Sequence, residues 1–288
     1  MRNVLPVVTV LLAILGIWYL AAIWMNAAWT YDQAARAGDT VSLSHLLSDT
    51  MAQKRPVLPA PHQVWAELDK GIFDRKITSK RSLVYHGLIT LETTLWGFVL
   101  GIFLGVGLAV AITYSRVMEL SVMPWAIISQ TIPIVALAPM IVVLSNQVGV
   151  QDIRIPKAVI AAYLSFFPVL VSMVKGLSSP DHMQMDLMRT YSATDAQSFW
   201  KLRLPASMPY FFASLKVAIA AALVGTIVGE LPTGATSGLG ARMLIGSQFG
   251  QPLQMWAALF AAAILAGLLI LTVAGLEKGV NRMMGAGA

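Results

Sequence analysis

The sequence predicts an all-α, polytopic membrane protein with about six transmembrane helices and a short polar helical hairpin between two of them. Three observations carry that prediction. Hydrophobic residues make up 57% of the chain and charged residues only 12%, whereas a soluble domain carries roughly a quarter charged. Six apolar runs are each about long enough to cross a bilayer as helix. Between the fourth and fifth runs lies the polar stretch 179–205, SPDHMQMDLMRTYSATDAQSFWKLRLP. The mean hydropathy of +0.71 agrees. Cysteine is absent, which excludes disulfides and thiolate metal sites. The net charge of +6 reads as membrane topology. No basic cluster interleaved with aromatics points to nucleic acid, so no nucleic-acid partner is expected.

The chain divides into an N-terminal transmembrane helix over 1–29, a polar excursion over 30–85 and a core over 86–288. The first apolar run, 4–24, is longer than the ~7–15 residues of a signal-peptide core. It is therefore read as a retained helix, with Trp18, Trp24 and Trp29 towards one interface. The excursion shows helix-like pieces around 61–70 and no catalytic cluster. His62 and His86 read as isolated surface histidines.

The second span, 87–113, carries Gly97, Gly101 and Gly105 on one face. Small residues at this spacing let helix backbones approach closely in lipid, and packing within one subunit is the expectation ahead of a dimer seam. Glu92 lies near the entry end of this span, at interfacial depth. The third span, 122–144, contains Pro124, Pro133 and Pro139 with Ser129-Gln130-Thr131 at mid-depth. Prolines free backbone carbonyls and kink a helix, and such defects persist in a membrane only where protein or a water-lined path satisfies them. The third span is accordingly expected to line a translocation path, with Ser129, Gln130, Thr131 and Pro133 on it.

The fourth span, 158–174, adds Tyr163 as a further path residue. The fifth, 209–228, is small-faced, and Lys216 within it is expected to snorkel. The Gly-rich stretch 230–240 follows neither a strand nor a Lys-Ser/Thr pattern, so it is no phosphate loop. The sixth span covers 256–274.

The polar stretch reads as two short helices, 180–191 and 195–203. Ser179 with Pro180 marks the first start, Thr194 with Gln197 has capping-box spacing, and Pro205 is expected to stop the second helix. Met183, Leu187 and Tyr191 form one apolar stripe opposite Gln184, Asp186 and Arg189. Such a hairpin either lies on the membrane surface or docks in a groove on a soluble partner.

Asp186-Leu187-Met188, Ser192 and Leu202-Arg203-Leu204-Pro205 resemble the EAA loop of bacterial ABC importer permeases. That pattern is Glu-Ala-Ala, three residues, Gly, nine residues, an aliphatic, one residue, Leu-Pro, and the spacing here matches throughout. Asp186 stands for Glu, Leu187 and Met188 for the alanines, and Ser192 for Gly. A serine in a left-handed turn costs about 1 kcal/mol or more, so either the turn avoids positive φ or it carries strain. The resemblance covers about 85–280, including the Gln-x-x-Pro of the third span and the Gly-Leu-Gly at 238–240, and is closest to the nitrate/sulfonate/taurine-type branch. That branch also includes permeases for thiamine-pyrimidine and riboflavin-like compounds.

The resemblance implies a non-enzymatic transport subunit in the bacterial inner membrane, working as a permease homodimer among lipid. Its partners would be cytoplasmic ATP-binding subunits, which hold the ATP and Mg, and a periplasmic or extracellular substrate-binding protein. No cofactor or metal is expected on this chain. The coupling residues it implies are Asp186, Leu187, Met188, Arg189, Tyr191, Ser192, Leu204 and Pro205.

Charge counts orient the spans. With both termini cytoplasmic, the short inner segments hold nine basic residues and the short outer loops Arg154, Lys157 and Arg242, the asymmetry of a positive-inside protein. The excursion, then periplasmic, holds eight more, but long segments weigh little in that rule. The alternative function is a secondary transporter or channel working without an ATPase. It predicts deep ionisable residues or inverted repeats, whereas the spans show few deep charges and no clear repeat. A membrane-embedded enzyme would need clustered His, Asp or Glu, and four scattered histidines do not supply it.

Overall fold

The computed structural model describes residues 4–38 and 40–283. Among them every regular element is helical. They fall into two compact units. One is built from the chain up to Gly87 together with Ala241–Ala262, the other from Leu88–Gly240 together with the chain from Ala263 on.

The first unit is organised by α1 (Val4–Ala37). The expected span 4–24 is thus the first part of a longer helix. Polar residues of its later turns pin the segment that carries α2 (Leu43–Ala52) and α3 (Pro61–Asp69). Asn26 is fully buried. Its amide donates to the Leu58 carbonyl at 2.9 Å and accepts from the Val57 N–H at 2.8 Å. Thr30 donates to Asp49 at 2.6 Å. Trp18 donates to the Pro59 carbonyl and packs its ring on Trp256 and Phe260. His86 is 1% exposed, with its ring N–H on the Lys80 carbonyl at 2.9 Å, which corrects the expectation of a surface histidine.

The second unit contains most of α4 (Leu83–Tyr114), then α5 (Arg116–Ser129), α6 (Ile134–Gln147) and α7 (Arg154–Leu177). These are followed by α8 (His182–Thr190), α9 (Asp195–Ser198) and α10 (Leu204–Glu230). Its core joins Phe98, Ile112, Leu170, Met173, Ile219 and Leu223. The remaining helices are α11 (Leu239–Gln248) and α12 (Pro252–Met283), the second half of which closes the unit.

Glycine contacts give the helix directions. A methyl group on Gly97 would overlap Ala161, on Gly101 Ser165, and on Gly105 Val169. Numbers rise together along both helices, so α4 and α7 run parallel. On α10, Gly225 faces Ala161 and Gly229 faces Lys157, so α7 and α10 run antiparallel. The chain that leaves the end of α4 must therefore return to the opposite face before α7 begins. The pair α5–α6 makes that return as a broken span. With it, six segments are long and apolar enough to cross a membrane.

The third span is thus not one kinked helix. Its two halves meet at 103°. Pro133 has no N–H and disfavours helical geometry for the residue before it. Ser129 and Thr131 turn their hydroxyls back onto the carbonyls of Ala126 and Ile128, competing with the helical ladder. Pro124 and Pro139 sit inside α5 and α6 without breaking them. Lys216 pairs with Glu277 of α12 at 2.5 Å.

Candidate functional site

The hairpin begins two residues later than expected. Asp181, not Ser179, is the N-cap of α8, and it forms a capping box with Gln184. Ser179 instead donates to the Gly176 carbonyl at the end of α7. Thr194 caps α9 with Gln197 as its reciprocal partner.

The turn between them is a Schellman motif. Ser192 N–H donates to the Arg189 carbonyl at 2.8 Å and Ala193 N–H to the Met188 carbonyl at 3.0 Å, the pairing that closes a helix through a left-handed residue. Ser192 supplies that residue, with φ +49°, and is the one non-glycine residue with positive φ among those described.

Pro205 does not end the second arm. The residues Phe199–Arg203 form a π-helical turn in which Leu204 N–H reaches back five residues to the Phe199 carbonyl. That wider turn makes room for the pyrrolidine ring, and Pro205 lies in the first turn of α10. The result is one continuous helix, Asp195–Glu230.

The hairpin surface is open. Met183, Leu187 and Tyr191 are 80%, 55% and 76% exposed, and Asp186 pairs with Arg189 at 3.1 Å on the same helix. Met188 is half-buried and Leu204 likewise, while Pro205 is exposed. The base of the hairpin is fixed by a residue not singled out from sequence. Arg203 donates to the Leu177 carbonyl at 3.0 Å, capping the last turn of α7, and its guanidinium lies 5.7 Å from the centre of the Tyr114 ring.

The break between α5 and α6 gathers a second set of polar groups. In an unbroken helix the Ser129 carbonyl would accept from residue 133, which is proline and has no N–H. Tyr163 of α7 donates its hydroxyl to that carbonyl, and Gln130 donates to the Ser129 hydroxyl at 3.3 Å. Thr131 and Pro133 are exposed at the same break. The structure therefore brings Ser129, Gln130, Thr131, Pro133 and Tyr163 to one place.

At the far end of α10, Glu230 is fully buried. It accepts from the Thr90 hydroxyl at 2.9 Å and from the Gly240 N–H at 2.7 Å, while Thr90 accepts from the Leu239 N–H at 2.9 Å. Lys157, 2% exposed, lies close enough to feel the Glu230 charge. A side chain on Gly238 would run into the Glu230 carboxylate, and this glycine has φ +123°. The Gly-Leu-Gly at 238–240 is thus a segment whose backbone wraps a buried acid. Among the described residues no cluster of three or more potential metal ligands occurs.

Six candidate crossings, the third of them broken, and a helical hairpin between two tightly packed spans are the architecture of a membrane transport subunit. Comparison with known proteins gives its family. The model of the binding-protein-dependent transport system inner membrane component matches residues 97–284, and the chain belongs to that family. The formylaminopyrimidine transport permease protein ThiX of Halalkalibacterium halodurans is 33% identical, over 83% of this chain and 89% of that protein. A probable ABC transporter permease protein of Haemophilus influenzae is 30% identical, over 69% and 78%. Among solved structures, a chain of the MetNI methionine ABC transporter in an inward-facing conformation matches with TM-score 0.52 and 20% identity, covering 76% of this chain and 98% of that one. This last likeness supports the fold. The chain is a multi-pass permease subunit of an ABC importer.

Proposed function

We propose that this permease passes a small polar solute from an external substrate-binding protein to the cytoplasm, and that cytoplasmic ATP-binding subunits drive it by seating on the α8–α9 hairpin. The observation that carries this reading is the exposed stripe of Met183, Leu187 and Tyr191 beside the Asp186–Arg189 pair. An apolar helix face projecting beyond the spans calls for a covering groove. In this reading ATP and Mg²⁺ sit on the partner chain, and this chain holds no cofactor.

Transmission follows from continuity. The second hairpin arm and α10 are one helix of 36 residues, so a push on α9 moves α10 without an intervening hinge. Arg203 carries the same motion to α7 through the Leu177 carbonyl. Closure of the ATP-binding subunits would rock these spans between inward- and outward-facing states. The broken span would line the path, with Ser129, Gln130, Thr131, Pro133 and Tyr163 as its polar lining. Gly97, Gly101 and Gly105 would hold α4 against α7 during the motion.

The charge asymmetry supports cytoplasmic termini and a cytoplasmic hairpin, with 30–85 on the outer face and 86–288 as the transport core. We infer a homodimer around the path. Relatives are named for formylaminopyrimidine, riboflavin, aliphatic sulfonates and nitrate transport, so the solute class we propose is small and polar, chosen mainly by the binding protein.

The test is reconstitution in proteoliposomes with the ATP-binding and substrate-binding partners. Uptake of a labelled solute from those classes should require ATP and all three components. Uptake by this chain alone, without ATP, would overturn the reading in favour of a secondary transporter or channel.

A further inference from the structure

A cleft of about 380 Å³ opens between α4 and α7, away from the hairpin and the broken span. Its rim carries three charges. Arg154 donates from Nη1 to Glu92 at 2.7 Å and from Nε to Asp152 at 3.3 Å. Its walls are apolar, with Trp96, Leu100, Ile155 and Val159 leading away from the rim.

Depth places the rim at a membrane interface. From Glu92 to Tyr114 the helix rises about 33 Å at 1.5 Å per residue, close to the ~30 Å of a bilayer's hydrocarbon core. Arg154 begins α7 and meets Glu92 at that same level. Below the rim α4 presents Trp96, Leu100, Phe103 and Leu104, all exposed, and Trp96 sits where aromatic belts form.

We propose that this cleft binds an aminophospholipid of the phosphatidylethanolamine class, its phosphate on Arg154, its ammonium on Glu92 and Asp152, and an acyl chain along Trp96 and Leu100. Charge complementarity selects this headgroup. Glu92, Asp152 and Arg154 sum to one negative charge, and including the neighbouring Lys157 with Glu230 leaves that sum unchanged. An anionic headgroup would add a second negative charge to the site. A zwitterionic one brings a phosphate for the guanidinium, whose Nη2 is not engaged by Glu92 or Asp152, and a cation for the surplus carboxylate. Phosphatidylcholine matches in charge, but its quaternary ammonium has no N–H to donate. The proposal rests on the chain's spanning a membrane and is independent of what it transports.

The test is native mass spectrometry of the delipidated full-length chain in complex with its ATP-binding partner, titrated separately with phosphatidylethanolamine, its N-methylated series, phosphatidylcholine and phosphatidylglycerol. Retention should be greatest for phosphatidylethanolamine and fall as N–H groups are lost, by roughly fivefold to phosphatidylcholine, the effect of about one hydrogen bond. Arg154→Ala and Glu92→Gln should each erase the preference. The N-methylated series gives its answer on the wild-type protein alone. Equal retention of all lipids or a preference for phosphatidylglycerol would overturn the proposal. So would a disulfide-linked dimer of Trp96→Cys in this cysteine-free chain, since a second copy would then cover the cleft.

Discussion

Arg203 caps the end of α7 by donating to the Leu177 carbonyl at 3.0 Å. One guanidinium therefore joins the base of the α8–α9 hairpin to the span before it. A cation at a helix C-terminus is favoured by the helix dipole, and Arg203 also stacks over Tyr114. Arg203→Met should leave the protein folded and inserted but lower ATP-dependent uptake several-fold while ATP hydrolysis by the complex persists. Parallel assays of hydrolysis and uptake in one proteoliposome preparation read this directly, and a proportional fall of both would assign Arg203 a purely structural part.

Ser192 occupies a left-handed turn with φ +49°. Glycine there would remove a Cβ penalty, so Ser192→Gly should stabilise the hairpin by about 1 kcal/mol. Ser192→Val, β-branched, should destabilise it by more than that. Hydrogen exchange of the Ser192 and Ala193 amides checks both, with slower exchange expected in the glycine variant and faster in the valine variant.

Gly105 and Gly107 make a paired control on one helix. A Cβ at 105 would lie 2.7 Å from the Phe166 carbonyl oxygen and 2.9 Å from the Val169 Cβ, whereas nothing lies within 4 Å of one at 107. Gly105→Ala should cost about 1–3 kcal/mol through overpacking. Gly107→Ala should be neutral or stabilising by up to about 1 kcal/mol. Thermal unfolding in detergent should order the three proteins accordingly.

Much of this architecture is legible in the sequence because its signals are local. Apolar runs mark the spans, Thr194 with Gln197 marks a helix start, and the spacing to Leu204-Pro205 marks the hairpin. The misread points depend on distant partners or on the surrounding backbone. Pro205 reads as a stop, yet a π-helical turn before it lets the helix continue. The prolines of the third span announce a defect, but not its 103° angle, and nothing local announces that Tyr163 would supply the donor that Pro133 lacks. His86 reads as a surface histidine because its partner, the Lys80 carbonyl, depends on how the segment before α4 folds back.

Thr90 and Glu230 are 140 residues apart, beyond the reach of any periodicity. Glu230→Ala should leave the Gly240 N–H and the Thr90 hydroxyl without their shared acceptor, and each buried unsatisfied group costs about 1–3 kcal/mol. Thr90→Val should also destabilise, since it takes one donor from the buried carboxylate and the acceptor from the Leu239 N–H. A lower melting temperature for both is the expected result in detergent-solubilised protein.

The central claim is that α8 seats on an ATP-binding subunit through Met183, Leu187 and Tyr191, flanked by Asp186 and Arg189. The most direct measurement is co-elution of that subunit with the tagged permease from its native membrane, in wild type and in Leu187→Asp, Tyr191→Asp and Asp186→Lys variants. These positions are exposed and contribute to no core, so the variants should insert normally. The account predicts that the wild type co-elutes with the subunit and that Leu187→Asp and Tyr191→Asp lose it at least tenfold, with Asp186→Lys uncoupled from uptake. Undiminished co-elution and uptake in all three would contradict it.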